Sequence, residues 1–354
     1  MRSFFNLSIY RFNEINMKIV TRFRYWLYYC IALVFLIVVG CEENADKPDE
    51  NEIQPPVDTT KQDTFPALGH DGPYSPDSIY YGRESYVEYH AGNLPIILSA
   101  PHGGWKVPDE IPDRTYGTTV TDANTYQLTK VLMDSITARF GAKPHVILCQ
   151  LKRTKLDAKR DSIEAAQEDK YALRAWQEYH HYIETAKKQI SDNFGSGLFL
   201  DMHGHGQNPD GYYDLRIWLG YLLSGSELDQ NDEVLNTVSY KNKSSIRALA
   251  DSSSHTFIDL LRGGKSMGTL LDSLGYACVP STKDTGPAGS RYFSGGYNTV
   301  RHGSRDGGIV SAIQIEAPKP GIRDNQATWS KFSSALTTAV EEYYQLHLGR
   351  SLKR

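Results

Sequence analysis

The chain has 354 residues, 40% hydrophobic and 23% charged, which is ordinary for a soluble globular protein. A formal net charge of -4 provides no basic field, so no nucleic-acid partner is expected. Of the four cysteines, two lie in the N-terminal segment, and the remaining pair, Cys149 and Cys278, cannot build a cysteine-based zinc site.

The N-terminus reads as an export signal. Lys18, Arg22 and Arg24 precede an unbroken apolar run over 26–39, followed by Gly40 and Cys41. That run is shorter than the roughly 20 residues a membrane-spanning helix needs. Met17 is a sufficient start, because the residues before it add nothing a signal requires. Val38-Val39-Gly40-Cys41 resembles a bacterial lipobox, which implies a cleaved signal over 1–40 and acylation of Cys41. Residues 41–78 are acidic and carry Pro55 and Pro56, so they bury too little apolar surface to offset ordering entropy. They are expected to form a flexible tether ahead of one catalytic domain over 79–350. No Asp directly follows Cys41, which points to a lipid-anchored protein of the outer membrane or facing the periplasm.

Residues 86–100, with Ala91-Gly92-Asn93 between two apolar stretches, read as a hairpin leading into a buried strand. Residues 122–140 have helical periodicity, with Leu128, Leu132, Ile136 and Phe140 on one stripe. A second buried strand is expected over 146–151, then a long amphipathic helical region over 163–194 with one break. A third strand covers 198–202 and ends at His203. A further strand is expected within 213–219, helices within 256–274, a β run over 309–315 and a closing helix over 329–348. Apolar strands alternating with helices predict an α/β layer fold with a largely buried sheet. In such sheets ligands bind beyond the carboxyl ends of the strands. Three strands end in residues capable of chemistry: His102, His203 and Glu316. Cys149 and Cys278 lie in apolar runs and are expected to pack as small hydrophobes, a disulfide being the alternative in an exported protein.

Ser99-Ala100-Pro101-His102-Gly103-Gly104 sets a histidine beside two glycines, which permit unusual turns or close approach. Asp201-Met202-His203-Gly204-His205 delivers an acid and two histidines from a second strand end. A catalytic zinc takes three protein ligands and keeps a position open, and Asp201 could orient a ligating histidine. For the third ligand Asp122, at a helix start, is favoured over Asp109 and Glu110, although an Asp there also commonly caps a helix. Glu316, in Gln314-Ile315-Glu316, is the candidate general base; its alternation with isoleucine also suits a surface glutamate. Residues 295–303, Tyr297 among them, could supply a proton donor or an oxyanion partner. The basic run over 152–161 contains Arg153 and Arg160, the side chains best shaped to hold a carboxylate, while its lysines suit a solvated turn. His180 and His181 receive no role.

These motifs, in this order, resemble the N-formylglutamate amidohydrolase family, which is related in fold to zinc carboxypeptidases. The matching pieces are 99–104, Asp122, 153–160, 201–205, 295–297 and 314–316, and they extend over nearly the whole folded part. The resemblance implies a three-layer α/β/α fold with a central mixed sheet. It also implies one Zn2+ held by His102, His203 and a carboxylate, with Glu316 as base. Arg160 and Arg153 would hold the substrate carboxylate, beside Tyr297. Two positions depart from the pattern: Lys159 stands where the family usually carries Asn, and Trp105 where zinc carboxypeptidases place a carboxylate ligand. The expected reaction is hydrolysis of an amide bond in a small carboxylate-bearing substrate. Export favours a peptide or cell-wall fragment over N-formylglutamate itself. The alternatives are a zinc carboxypeptidase or cell-wall amidase, and a non-catalytic surface-binding lipoprotein.

Overall fold

The apolar runs separate into eight strands of one mixed sheet: β1 (Ile79–Tyr81), β2 (Val87–His90), β3 (Ile96–Ala100), β4 (His145–Cys149), β5 (Gly197–His205), β6 (Ile217–Gly220), β7 (Cys278–Val279) and β8 (Val310–Pro318). Their spatial order is β1-β2-β4-β3-β5-β8-β6-β7. The four central strands, β4, β3, β5 and β8, run parallel, and β2 and β6 flank them antiparallel. The computed structural model describes residues 64–353. The signal segment, Cys41 and the first part of the tether lie outside the described residues. The folded unit begins at Thr64, so residues 64–78 of the expected tether belong to it. Tyr74 anchors them, donating to Asp71 and packing edge-on against Tyr89 and Tyr182.

Helices cover both faces of the sheet. Helix α1 (Thr125–Phe140) lies on one face, α2 (Ser162–Ala166) and α3 (Lys170–Phe194) on the other. The expected break in the long helical region falls at Gln167 and Glu168, both with positive φ, and Asp169 then caps α3 through the N–H groups of Tyr171 and Ala172. Short helices α4 (Gly225–Leu228), α5 (Asp232–Leu235), α6 (Val238–Lys243), α7 (Arg247–Ser252), α8 (Phe257–Arg262) and α9 (Met267–Ser273) fill the segment between β6 and β7. Helix α10 (Tyr297–His302) precedes β8, and α11 (Gln326–Leu348) closes the chain against α1. The result is the three-layer α/β/α arrangement with a mixed central sheet.

The expected hairpin is absent. Strand β4 lies between β2 and β3, pairing antiparallel with the first and parallel with the second. The reason is at Gly92, where a Cβ would overlap the backbone of Pro144 and His145. The chain there hugs the turn entering β4, and the N–H groups of Asn93 and Leu94 both bond to the Lys143 carbonyl. Cys149 and Cys278 are free and buried.

Side chains alternate across the central strands into two different interiors. Leu98, Ala100, Leu200, Met202, Ile313 and Ile315 pack toward α1 and α11. Ile97, Phe199 and Ala312 begin the opposite row, toward α3. Continuing that second row toward the carboxyl ends gives Ser99, Asp201 and Gln314 side by side, then His203 beside Glu316. The alternation of Glu316 with isoleucine therefore separates a polar site from an apolar core, and Glu316 is only 3% exposed.

Candidate metal centre

His102 follows β3, His203 lies within β5, and Asp122 sits in the loop before α1. The three side chains are brought together, one potential ligand atom from each lying within 4.8 Å of the others. His203 Nδ1 is 3.2 Å and His102 Nδ1 3.4 Å from Asp122 Oδ2. Ligand atoms at zinc distances in a tetrahedral site stand about 3.3 Å apart, so both spacings suit a shared ion.

The far side of each ring is fixed by a carboxylate. His102 Nε2–H donates to Asp157 Oδ1 at 2.6 Å, and His203 Nε2–H donates to Asp201 Oδ2 at 2.8 Å. These bonds leave the Nδ1 lone pairs facing Asp122, in the arrangement that orients metal-ligating histidines. His102 Nδ1 is buried and has no hydrogen-bond partner. A buried, orphaned acceptor aimed at a carboxylate and a second imidazole fits a cation.

The carboxylates are secured in turn. Asp157, fully buried, accepts from Arg153 Nε and from the Lys159 N–H as well as from His102. Asp201 accepts from Ser99 Oγ at 2.5 Å and from Asn298 Nδ2 of α10 at 3.2 Å. Burial alone would raise the pKa of all three acids. The imidazoles outweigh it at Asp122, and with nearby cations they hold Asp157 and Asp201 below the usual carboxylate range. At His203 burial and the Lys159 ammonium oppose protonation, yet Asp201 and Asp122 prevail and raise its pKa.

Two close approaches explain the glycines. A Cβ at Gly103 would strike the Tyr126 backbone N–H and one at Gly104 the Gln150 backbone, so the turn after His102 is pressed between α1 and the end of β4. Neither glycine has a positive φ. A Cβ at Gly204 would overlap the Arg323 guanidinium, which donates to the carbonyls of Ala317, Ala123 and His205. Arg323 thereby joins the ends of β5 and β8 to the loop carrying Asp122.

Asp122 does not cap α1; Asn124 occupies that position, and the Asp122 N–H bonds to the His102 carbonyl. Asp109 is exposed, and Glu110 pairs with Arg83 and Tyr86. His205 stays out of the cluster, stacked on Trp218 with 3.8 Å between centroids and donating to the Arg216 carbonyl. Glu316 pairs in register with His203, accepts from Gln314 Nε2 at 2.9 Å and has Lys159 Nζ 3.7 Å away. Arg153 is committed to Asp157 and to the Val120 carbonyl. Arg160 is about a third exposed and pairs with Glu164, and Tyr297 accepts from Arg301. His180 is buried, bonded to His302, which in turn bonds to Glu184.

The residues missed from sequence are Asp157, Arg323 and Asn298. Asp157 had one usable signal: it is the acid that directly follows apolar Leu156 within a basic run. Asn298 lay inside the candidate segment 295–303 without being singled out, and Arg323 carried no motif.

No protein-family model matches the sequence, and no curated protein matches it. Among solved structures the chain is similar to N-formylglutamate amidohydrolase from Ralstonia eutropha JMP134. Identity is 11% and the TM-score 0.46, over 78% of this chain and 100% of that one. It is also similar to succinylglutamate desuccinylase from Chromobacterium violaceum, at 11% identity and TM-score 0.34, over 78% of this chain and 72% of the other. A third is the CwlD amidase from Clostridioides difficile, in complex with the GerS lipoprotein, at 12% identity and TM-score 0.31, over 72% and 100%.

Proposed function

We propose that the protein is a zinc-dependent hydrolase that cleaves an amide bond of a small carboxylate-bearing substrate. The observation that carries this reading is the buried His102–Asp122–His203 cluster, with the orphaned Nδ1 of His102 turned into it. Two neutral nitrogens and one carboxylate form a donor set that suits zinc. Zinc, when bound, supplies a Lewis acid that polarises an amide carbonyl and makes water more acidic.

The rest is done by the chain. Asp157 and Asp201 hold the two imidazoles in the tautomer that keeps Nδ1 free. Glu316, one strand from His203 and steadied by Gln314, takes the proton of the attacking water and returns it to the leaving amine. Arg160, about a third exposed and paired at the surface with Glu164, is the arginine that can exchange this partner for the substrate carboxylate, since Arg153 is buried against Asp157.

The test is metal analysis of the purified protein, then a hydrolysis screen of N-acyl amino acids against C-terminal peptides. In Glu316→Gln, turnover should fall about 10²–10⁴-fold while zinc stays stoichiometric. If the protein neither binds zinc nor gains activity from it, the reading fails.

The same proposal places the enzyme outside the cytoplasm, anchored through acylated Cys41. Mass spectrometry of the mature N-terminus should find lipid on Cys41, and Cys41→Ser should release the protein from membranes.

A further inference from the structure

The buried arginines around the strand ends are committed: Arg153 bonds to Asp157 and Arg323 to three backbone carbonyls, while Arg160 pairs with Glu164 at the surface. Lys159 differs. It is 8% exposed, its ion pair is with Glu316 at 3.7 Å, and among the described residues its ammonium makes no hydrogen bond. Its stem is fixed, because a Cβ at Gly296 would overlap Lys159 Cε, and its N–H is tied to Asp157, the partner of His102. A held ammonium with all three donors unused, beside the candidate base, is placed to receive negative charge.

We propose that Lys159 is a catalytic residue that binds the carbonyl oxygen of the scissile amide as that oxygen becomes an anion. This rests on the hydrolase reading above. As the water oxygen bonds to the carbonyl carbon, its proton passes to Glu316 and the carbonyl π pair moves onto the oxygen, where the ammonium meets it. On collapse the C=O bond reforms, the C–N bond breaks and Glu316 protonates the departing amine.

The experiment compares zinc-loaded wild type, Lys159→Met and Lys159→Arg. Methionine matches the stem without the charge, and zinc stoichiometry reports an intact site. The first readout is calorimetric titration with inorganic phosphate, a tetrahedral oxyanion. Lys159→Met should weaken binding about tenfold, with Lys159→Arg between the two. The second is kinetics on the best amide from the screen, where kcat should fall about a hundredfold with KM nearly unchanged, and Arg should restore part of it. Phosphate affinity unaltered by the methionine, or absent in wild type, overturns the proposal. A KM rise confined to carboxylate-bearing substrates also overturns it, making Lys159 a substrate-carboxylate holder. An acid limb of kcat/KM moved without loss of the plateau makes it a positioning residue for Glu316. Failure of the parent reading is distinct: wild type then fails to bind zinc or to turn over any amide.

Discussion

His102 and Asp157 are joined by a buried hydrogen bond of 2.6 Å, and the same carboxylate holds Arg153. One acid therefore sets the tautomer of a candidate ligand and neutralises the nearest arginine. Asp157→Asn removes the charge and keeps the size. Zinc affinity should fall about 10–100-fold by competition with a chelating dye. Unchanged affinity would mean that His102 is oriented without Asp157.

Zinc loading should stabilise the fold, because the ligand atoms converge only in the native state. At a free zinc concentration about 100 times Kd the gain is about 2.7 kcal/mol. Chelator-treated protein should melt at a lower temperature and recover on adding zinc. A melting point indifferent to zinc would remove the metal centre.

Much of this centre was legible because glycines follow its histidines and each histidine stands at the end of a largely apolar strand. What stayed hidden is instructive. Asp157 lies among lysines and arginines whose summed charge points to an external anion, whereas the structure folds Arg153 back onto it. Arg323 acts through backbone carbonyls that any sequence could present. The order of β2, β4 and β3 is a long-range choice, and the local pattern around Gly92 suits a hairpin equally well.

His145, at the start of β4, accepts through Nδ1 from the Gly92 N–H and bonds to the Tyr89 hydroxyl. Burial pushes its pKa down to about 4. The folded state thus resists a proton that the unfolded chain accepts near 6.5. Stability is complete above that value and is lost as pH falls from about 6.5 toward 4, by on the order of 3 kcal/mol from this group. His145→Gln should flatten the urea-unfolding free energy across that interval, and identical slopes would refute the assignment.

Gly204→Ala sets a methyl group into the Arg323 guanidinium. Overpacking of this kind costs about 1–3 kcal/mol, and the displaced arginine would loosen the Asp122 loop as well. Chemical denaturation should show the loss, accompanied by weaker zinc binding. Lost stability with zinc binding intact would show that Arg323 does not steady Asp122.

The order of the strands in the chain also has a consequence for biosynthesis. His102, Asp122 and His203 all precede β8, whereas Glu316 and Arg323 come after every candidate ligand. A growing polypeptide therefore carries all three side chains before it carries the strand that β5 pairs with, so the cluster closes only after β8 is added to the sheet. Truncation before β8 would remove the candidate base and the strand that holds His203 in register together, so the metal centre and the activity are expected to be lost as one.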